Sequence, residues 1–295
     1  MTSVALKASI AAVVVTRNRL ALLKECVEAL RAQTRKPDVI FVIDNASDDG
    51  TADWLKGQSD LTVIRQANLG SSGGQYAGVK AAYQAGHDWF WCLDDDTIPH
   101  ADALERMTAC PYFADEWTGF LASMVLWTDG SPHRMNNSDP VAVCDWAHTV
   151  LADHCVRLGS SSFVSLLASR RAVAKAGLPL RDMFLWGDDV EFTARIARDF
   201  KCYGVLDSIV VHKTPANKNA FFERVPPAEA VKYCFGVRNS LLIARHGGGS
   251  IFQRTFRVAS LCYYNTKLVL TGRAPVKVLN WIFRGLVFNP PVEHV

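Results

Sequence analysis

With 295 residues, 49% of them hydrophobic and 21% charged, the chain has enough apolar mass for one large α/β domain, alone or with an appendage, and its composition excludes a disordered or low-complexity protein. The net charge of +3 conceals an asymmetry: residues 213–295 hold twelve Lys and Arg against three acids, a net +9, which leaves −6 for residues 1–212. An acidic first part with a basic tail suits contact of the tail with an anionic surface, and no nucleic-acid partner is expected.

In chain order, five candidate strands at 9–16, 38–45, 61–66, 88–94 and 119–126 alternate with helix-like runs. Leu20, Leu23, Val27 and Leu30 repeat at helical spacing, and residues 72–86 have the small-residue composition of a helix lying close on a sheet. The opening SIAAVVV runs straight into TRNR without a cleavage pattern, so it reads as a first strand and not as a signal peptide. This alternation predicts an α/β fold with a Rossmann-like, mainly parallel central sheet whose ligands gather at the carboxyl ends of the strands, where Asp44 and Asp94 to Asp96 fall. The polar run 127–140 reads as a loop over that site. A strand at 160–169, a helix at 188–200 and a strand from 204 ending at His212 follow, and from about Pro226 the chain turns helical over 228–249, 251–272 and 275–288. The expected division is a catalytic domain over 1–225, its nucleotide-binding half about 1–126 and its acceptor-binding half about 127–225, and a basic helical C-terminal region over 226–295. No run of 18 uninterrupted apolar residues predicts a membrane span. The eight cysteines lack CxxC or zinc-ligand spacing, as in a reducing cytoplasm.

The stretch WFWCLDDDTIPH places Asp94, Asp95 and Asp96 side by side. Two such charges about 5 Å apart repel by roughly 3 kcal/mol at an effective dielectric near 20, so the cluster is either a solvated turn or a cation site. In an extended segment residues i and i+2 share a face, so Asp94 and Asp96 converge and Asp95 points away. Hard oxygen ligands favour Mg²⁺ or Mn²⁺. A calcium loop starting at Asn45 fails at Lys56, and GSSGGQYAG matches neither a P-loop nor a dinucleotide fingerprint, although Gly73 and Gly74 would let a backbone approach a phosphate. In FLWGDDVEF, Asp188 and Asp189 stand at a helix start, where capping would account for either one. Trp186 reads as core or as a sugar-stacking platform, and His212 alone as a strand-end hydrogen-bonding group before it reads as a ligand.

Taken together, VVVTRNRLALLKECVEALRAQTRKPDVIFVIDNASDDGT, QANLGSSGGQYAGVKAA, FWCLDDDTIP, FLWGDDVEFTARI and VVHK resemble a glycosyltransferase of the large inverting family 2 type with the GT-A fold. The order NLGxxGG, DDD, GDDVEF, His, RN, over roughly 9–245, is most similar to bacterial galactofuranosyltransferases and their rhamnosyltransferase relatives. The resemblance implies that Asp94, Asp96 and His212 hold Mn²⁺ or Mg²⁺, and that Asp95 stays near the sugar or ribose. It further implies that Thr16, Arg17, Asp44 and Asn68 surround the nucleotide and its diphosphate, and that Asp189 is the catalytic base with Asp188 beside it. A carboxylate at a helix start is expected to be ionised at pH 7 and able to take the acceptor hydroxyl's proton. The implied donor is UDP-galactofuranose, or dTDP-rhamnose in the alternative. Ser71 and Ser72 depart from the Gly and Ala or Ser usual in galactofuranosyl enzymes, which leaves donor choice open. The implied acceptor is a glycan or polyprenyl-diphosphate-linked glycan at the cytoplasmic face of the cell membrane, with Trp186 against it and the basic tail as a peripheral membrane contact. A nucleotidyltransferase would need a glycine-rich loop after strand one, and TRNRLALL has no glycine. An inactive carbohydrate-binding or membrane-scaffold relative would have no need of Asp189 opposite a metal trio.

Overall fold

Residues 8–136, 138–141, 146–218 and 224–295 are described by the computed structural model; Cys144 and position 137 of the expected loop lie outside them. Ten strands and ten helices follow in chain order: β1 (Ile10–Thr16), α1 (Leu20–Arg31), β2 (Val39–Asp44), α2 (Thr51–Lys56), β3 (Leu61–Arg65), α3 (Gly70–Gln84), β4 (Trp89–Asp94), β5 (Thr97–Pro99), α4 (Ala103–Ala109), β6 (Thr118–Leu126), β7 (Asp139–Pro140), α5 (Trp146–Leu151), β8 (Cys155–Ser160), β9 (Leu166–Ser169), α6 (Arg170–Ala176), α7 (Asp188–Ile196), β10 (Lys201–His212), α8 (Ala230–His246), α9 (Ile251–Leu270) and α10 (Val278–Val287). The sheet runs β3-β2-β1-β4-β9-β6-β10-β8-β7, with β5 paired to β10. Strands β3, β2, β1, β4, β6 and β10 point the same way, and β9 is inserted antiparallel between β4 and β6. The expected mainly parallel α/β sheet is therefore present.

Strand β1 shows why the sheet sits in the middle. All seven residues are buried, and successive side chains point to opposite faces. Ala11, Val13 and Val15 pack into one core with Val79 and Ala82 of α3, while Ile10, Ala12 and Val14 pack into the other with Leu23, Val27 and Leu30 of α1. The α3 side is close: a Cβ at Gly78 would lie 2.2 Å from Val13 Cγ1, and one at Gly74 2.4 Å from Val15 Cγ1. Those glycines let the helix axis approach the sheet further than any larger residue would allow.

The expected strand at 160–169 is corrected to two. Strand β8 ends at Ser160 and β9 covers only Leu166–Ser169. The polar alternation of CVRLGS hides β8, which takes its place by antiparallel pairing with β10. Strand β5, too short to stand out in the sequence, likewise exists through its pairing with β10.

The C-terminal helices build a third core from Tyr233, Val237, Leu241, Leu268, Val278 and Ile282. They are not a detached appendage. Leu242 of α8 shares a small core with Leu180 and Met183, and after α10 the chain returns to α3, where Glu293 pairs with Lys80 at 2.7 Å and accepts from Tyr76. The seven described cysteines are all free.

Candidate active site

Parallel register carries the first residues to one edge of the sheet. Thr16 at the end of β1 stands beside Asp44 at the end of β2, and Val15 beside Asp94 at the end of β4. The chain then turns, so that the three aspartates diverge. Asp95 accepts from Thr16 Oγ1 at 2.8 Å and from the guanidinium of Arg19 at 3.2 Å. Asp96 accepts from Arg19 on one oxygen and meets His212 Nε2 at 3.0 Å on the other. His212 reaches that point because β5 lies antiparallel to β10, which sets His212 opposite Thr97.

Asp94, Asp96 and His212 each offer one ligand atom, and these atoms lie within 4.8 Å of one another. That span is somewhat wider than twice a metal–oxygen distance of roughly 2.1 Å, so a small inward movement of the side chains would let one ion touch all three. Two carboxylate oxygens and one imidazole nitrogen suit Mn²⁺ or Mg²⁺, and leave positions for phosphate oxygens and water. His212 is oriented for this by its other nitrogen, which meets Asn136 Oδ1 at 2.7 Å. The ring of His133 lies tilted against that of His212, 4.6 Å between centroids, and bonds Thr214 Oγ1 at 2.8 Å. Burial, then His212, push His133 down to about 4, so it is a neutral neighbour at pH 7.

The electrostatics show how much negative charge is gathered. Burial, and then Asp96, push Asp94 up to about 7. Burial raises Asp95 to about 6 against the pull of Arg19. Asp96 ends below the ordinary carboxylate value although burial raises it, because His212 and Arg19 more than offset that. Arg19, whose side chain is 47% exposed, is the cation paired to this cluster among the described residues.

A second acidic group lies within electrostatic reach of the first. Asp188 and Asp189 open α7 behind Gly187, which serves as its N-cap with a φ of +85° and makes no side-chain cap. Asp189 Oδ1 accepts from Val190 N at 2.7 Å, so one of its oxygens serves the first turn of α7. Asp188 is buried, with Ser71 Oγ 3.4 Å from its carboxylate. Burial pushes it well above its ordinary value, followed by Asp189 and Asp94. Burial also lifts Asp189 to about 6, and Asp189 in turn helps raise Asp94. The two acidic groups are thus within electrostatic reach of each other. Burial outweighs the helix dipole and raises the carboxyl, yet at about 6 it stays mostly ionised at pH 7.

Other expected residues fall as follows. Asp44 is fully buried; its Oδ1 accepts from Ser47 N at 2.9 Å, while Oδ2 has no hydrogen-bond partner and Arg65 Nε stands 3.5 Å away. Arg17 has an exposed side chain, and its backbone N–H lies 3.4 Å from Asp95. Asn68 turns back to accept from Gly70 N at 3.1 Å. Gly73 and Gly74 lie buried inside α3, and the phosphate-approach reading is corrected to a packing one: a Cβ at Gly73 would be 2.3 Å from Leu69 Cβ, and Gly74 abuts Val15. Trp186, half-buried, backs onto Gly236 of α8. Sequence reasoning gave no role to Arg19, Asn136 or His133, and met Asn239 only as the second residue of the RN that closes the family order; Arg19 left a signal as the second arginine of TRNR beside the strand end.

A profile of the family described as Glycosyl transferase family 2 matches residues 11–135. The galactofuranosyltransferase GlfT1 of Mycobacterium tuberculosis (strain CDC 1551 / Oshkosh) is 30% identical over 223 residues, 69% of this chain and 70% of that protein. The protein of the same name from Mycolicibacterium smegmatis is 29% identical over 217 residues, 66% of this chain and 67% of its own length. Among solved structures, GalNAc-T7 with UDP, GalNAc and Mn²⁺ superposes with a TM-score of 0.59 at 12% identity, over 91% of this chain and 59% of that one. Residues 1–349 of S. aureus TarS with UDP-GlcNAc give 0.58 at 12% identity, over 94% and 79%. At these identities the two structures speak to the fold.

Proposed function

We propose that this chain, which belongs to glycosyl transferase family 2 and is a glycosyltransferase of the GT-A fold, moves galactofuranose from UDP-galactofuranose onto a hydroxyl of a glycan or polyprenyl-linked glycan in cell-surface polysaccharide synthesis. The carrying observation is the pair of acidic groups within electrostatic reach of each other: a trio able to hold one divalent ion, and the Asp189 carboxylate at the start of α7, one of whose oxygens accepts from Val190 N. The galactofuranosyl choice rests on the 30% identity to GlfT1.

In this reading the acceptor hydroxyl attacks the anomeric carbon from the side opposite the departing diphosphate, with inversion, and Asp189 takes the hydroxyl proton. The ion would be held by Asp94, Asp96 and His212, and when bound it supplies charge neutralisation for the leaving diphosphate. Thr16 and Arg19 hold Asp95 at the donor side. The Oδ2 of Asp44, which has no hydrogen-bond partner although Arg65 Nε stands 3.5 Å away, suits the ring N–H of a pyrimidine base. Uracil and thymine both carry that N–H, so Asp44 does not separate UDP- from dTDP-sugars. A thermal-shift screen does: UDP-galactofuranose with Mn²⁺ is expected to raise Tm by more than dTDP-rhamnose. A response confined to dTDP-rhamnose would move the assignment to rhamnosyl transfer.

The acceptor reading also places the enzyme at the inner face of the cell membrane. No described helix is long and apolar enough to cross a bilayer, yet α9 carries two apolar faces. One packs on α8 and α10. The other presents Phe252, Phe256, Tyr263 and Leu270, at i, i+4, i+11 and i+18, with exposures of 78%, 65%, 70% and 81%. Between Glu229 and Glu293 there is no acid and there are nine Lys and Arg. A second copy of the chain set against this face would oppose like charges, whereas an anionic bilayer offers both the headgroup charge and the apolar depth. Flotation with vesicles containing anionic lipid is expected to carry the chain, and Phe252→Ser with Phe256→Ser to leave it at the bottom. Equal flotation on neutral vesicles, or by the double variant, would refute the contact.

A further inference from the structure

The loop that delivers Asp188 and Asp189 is held from behind by the C-terminal helix α8. Phe184, Trp186 and Gly187 have φ of 65°, 67° and 85°. Two of the three carry side chains, and such backbone costs about 1–3 kcal/mol per residue unless its surroundings over-determine it. One wall is α3: Ser72 N donates to Phe184 O at 3.3 Å, and a Cβ at Gly70 would fall 1.9 Å from that oxygen. The other is α8. Asn239, fully buried, directs its Nδ2 to the carbonyls of Met183 (3.0 Å), Leu185 (3.0 Å) and Trp186 (2.7 Å). Arg238 adds bonds to Asp182 O at 3.0 Å and Met183 O at 2.7 Å. An amide group has two hydrogens, so the three carbonyls share them, and no other uncharged side chain of this size could serve all three.

We propose that Asn239 is a positioning residue for the acidic pair: it fixes the backbone of 183–186 and so sets the direction in which Asp188 and Asp189 enter the cleft. This rests on the reading of Asp189 as base. An alanine would leave buried carbonyls without donors, and an aspartate would turn a carboxylate toward them. Both release the loop while leaving Asp94, Asp96 and His212 untouched.

The test compares Asn239→Ala and Asn239→Asp with the wild type and with Asp189→Asn, in the full chain with Mn²⁺ and the donor. A displacement near 1 Å at the base costs on the order of 10²-fold in rate. The expected result is therefore a kcat lower by about that factor, a donor KM within about twofold, an unchanged Tm shift on adding UDP with Mn²⁺, and a displaced acid limb of the pH profile. A variant that merely unfolds in part would lose kcat in proportion to its donor-binding fraction, which overturns the proposal. Should neither variant fold, Gly236→Ala pushes the same loop through the Trp186 ring, which its Cβ would meet at 2.8 Å, and the same kcat-specific loss is expected. Folded Asn239 variants with wild-type kcat beside an inactive Asp189→Asn sink the positioning role alone. Turnover by Asp189→Asn sinks the base reading, and the positioning role with it.

Discussion

Asp189→Asn is expected to lower turnover by about 10²–10⁴-fold, the range a general base contributes, while the Tm shift on adding UDP with Mn²⁺ stays that of the wild type. The asparagine keeps size and position and removes only the capacity to accept the proton. The same substitution is expected to abolish the acid limb of the rate profile. Burial pushes the Asp189 carboxyl up to about 6, so the wild-type base is protonated and idle below that pH, and activity rises as pH passes through about 6. The stability effect has the opposite sense. A carboxyl whose folded pKa is raised binds its proton more tightly in the folded chain, so its contribution is full below the ordinary carboxylate value and is lost as pH climbs through about 6. The variant, having no charge to bury, should therefore melt at least as high as the wild type at pH 8. A turnover drop accompanied by a lower Tm would point to a structural role for Asp189 and against proton transfer.

The local rules that made parts of this molecule readable are those of short range. Strand β1 could be placed from IAAVVVT because a doubly buried parallel strand has no polar face to lose. The two-residue period of extended chain predicts the split of Asp94 and Asp96 from Asp95; the split is present, but a turn after β4 makes it, with Asp95 turned to Thr16 and Arg19 while Asp96 meets His212. What could not be read is what long-range pairing creates. Strand β5 has three residues, and only β10 makes it a strand; without it nothing brings His212 to Asp96 across 116 positions. Asn136 and Asn239 each serve a group more than fifty residues away, and an asparagine in a loop or mid-helix carries no local mark of such a duty. The upward shift at the start of α7 has the same origin. A helix dipole can be counted from sequence, whereas the burial that raises Asp188 and Asp189 comes from elements arriving from elsewhere, which also bring Asp94 near Asp188 and, pulling the other way, the hydrogen bonds of Ser71 and of the Phe163 N–H.

Mn²⁺ is expected to raise the Tm of the wild type, and Asp96→Ala to erase that response together with most of the turnover. The charge balance gives the reason. Asp94, Asp95 and Asp96 crowd one edge with Arg19 as their paired cation, and that guanidinium is 47% exposed and engages only Asp95 and Asp96. Among the described residues Asp94 has no ion pair, and it is the one pushed up to about 7, by burial and then by Asp96. A divalent ion among Asp94, Asp96 and His212 would neutralise charge that the more distant Arg19 does not pair, and binding to the folded state alone stabilises it. Asp96→Ala removes the central ligand, the partner of His212 Nε2 and one anchor of Arg19 at once. Loss of an ion that stabilises the leaving diphosphate by several kcal/mol corresponds to a turnover drop on the order of 10²–10⁴-fold. Asp95→Asn is the informative contrast, since Asp95 turns to Thr16 and Arg19 and not into the trio: it should weaken donor binding yet keep ion uptake, followed by the loss of the free Mn²⁺ signal in electron paramagnetic resonance. If Asp96→Ala takes up Mn²⁺ as the wild type does, or Asp95→Asn loses it as completely as Asp96→Ala, the three groups do not form the ion's seat.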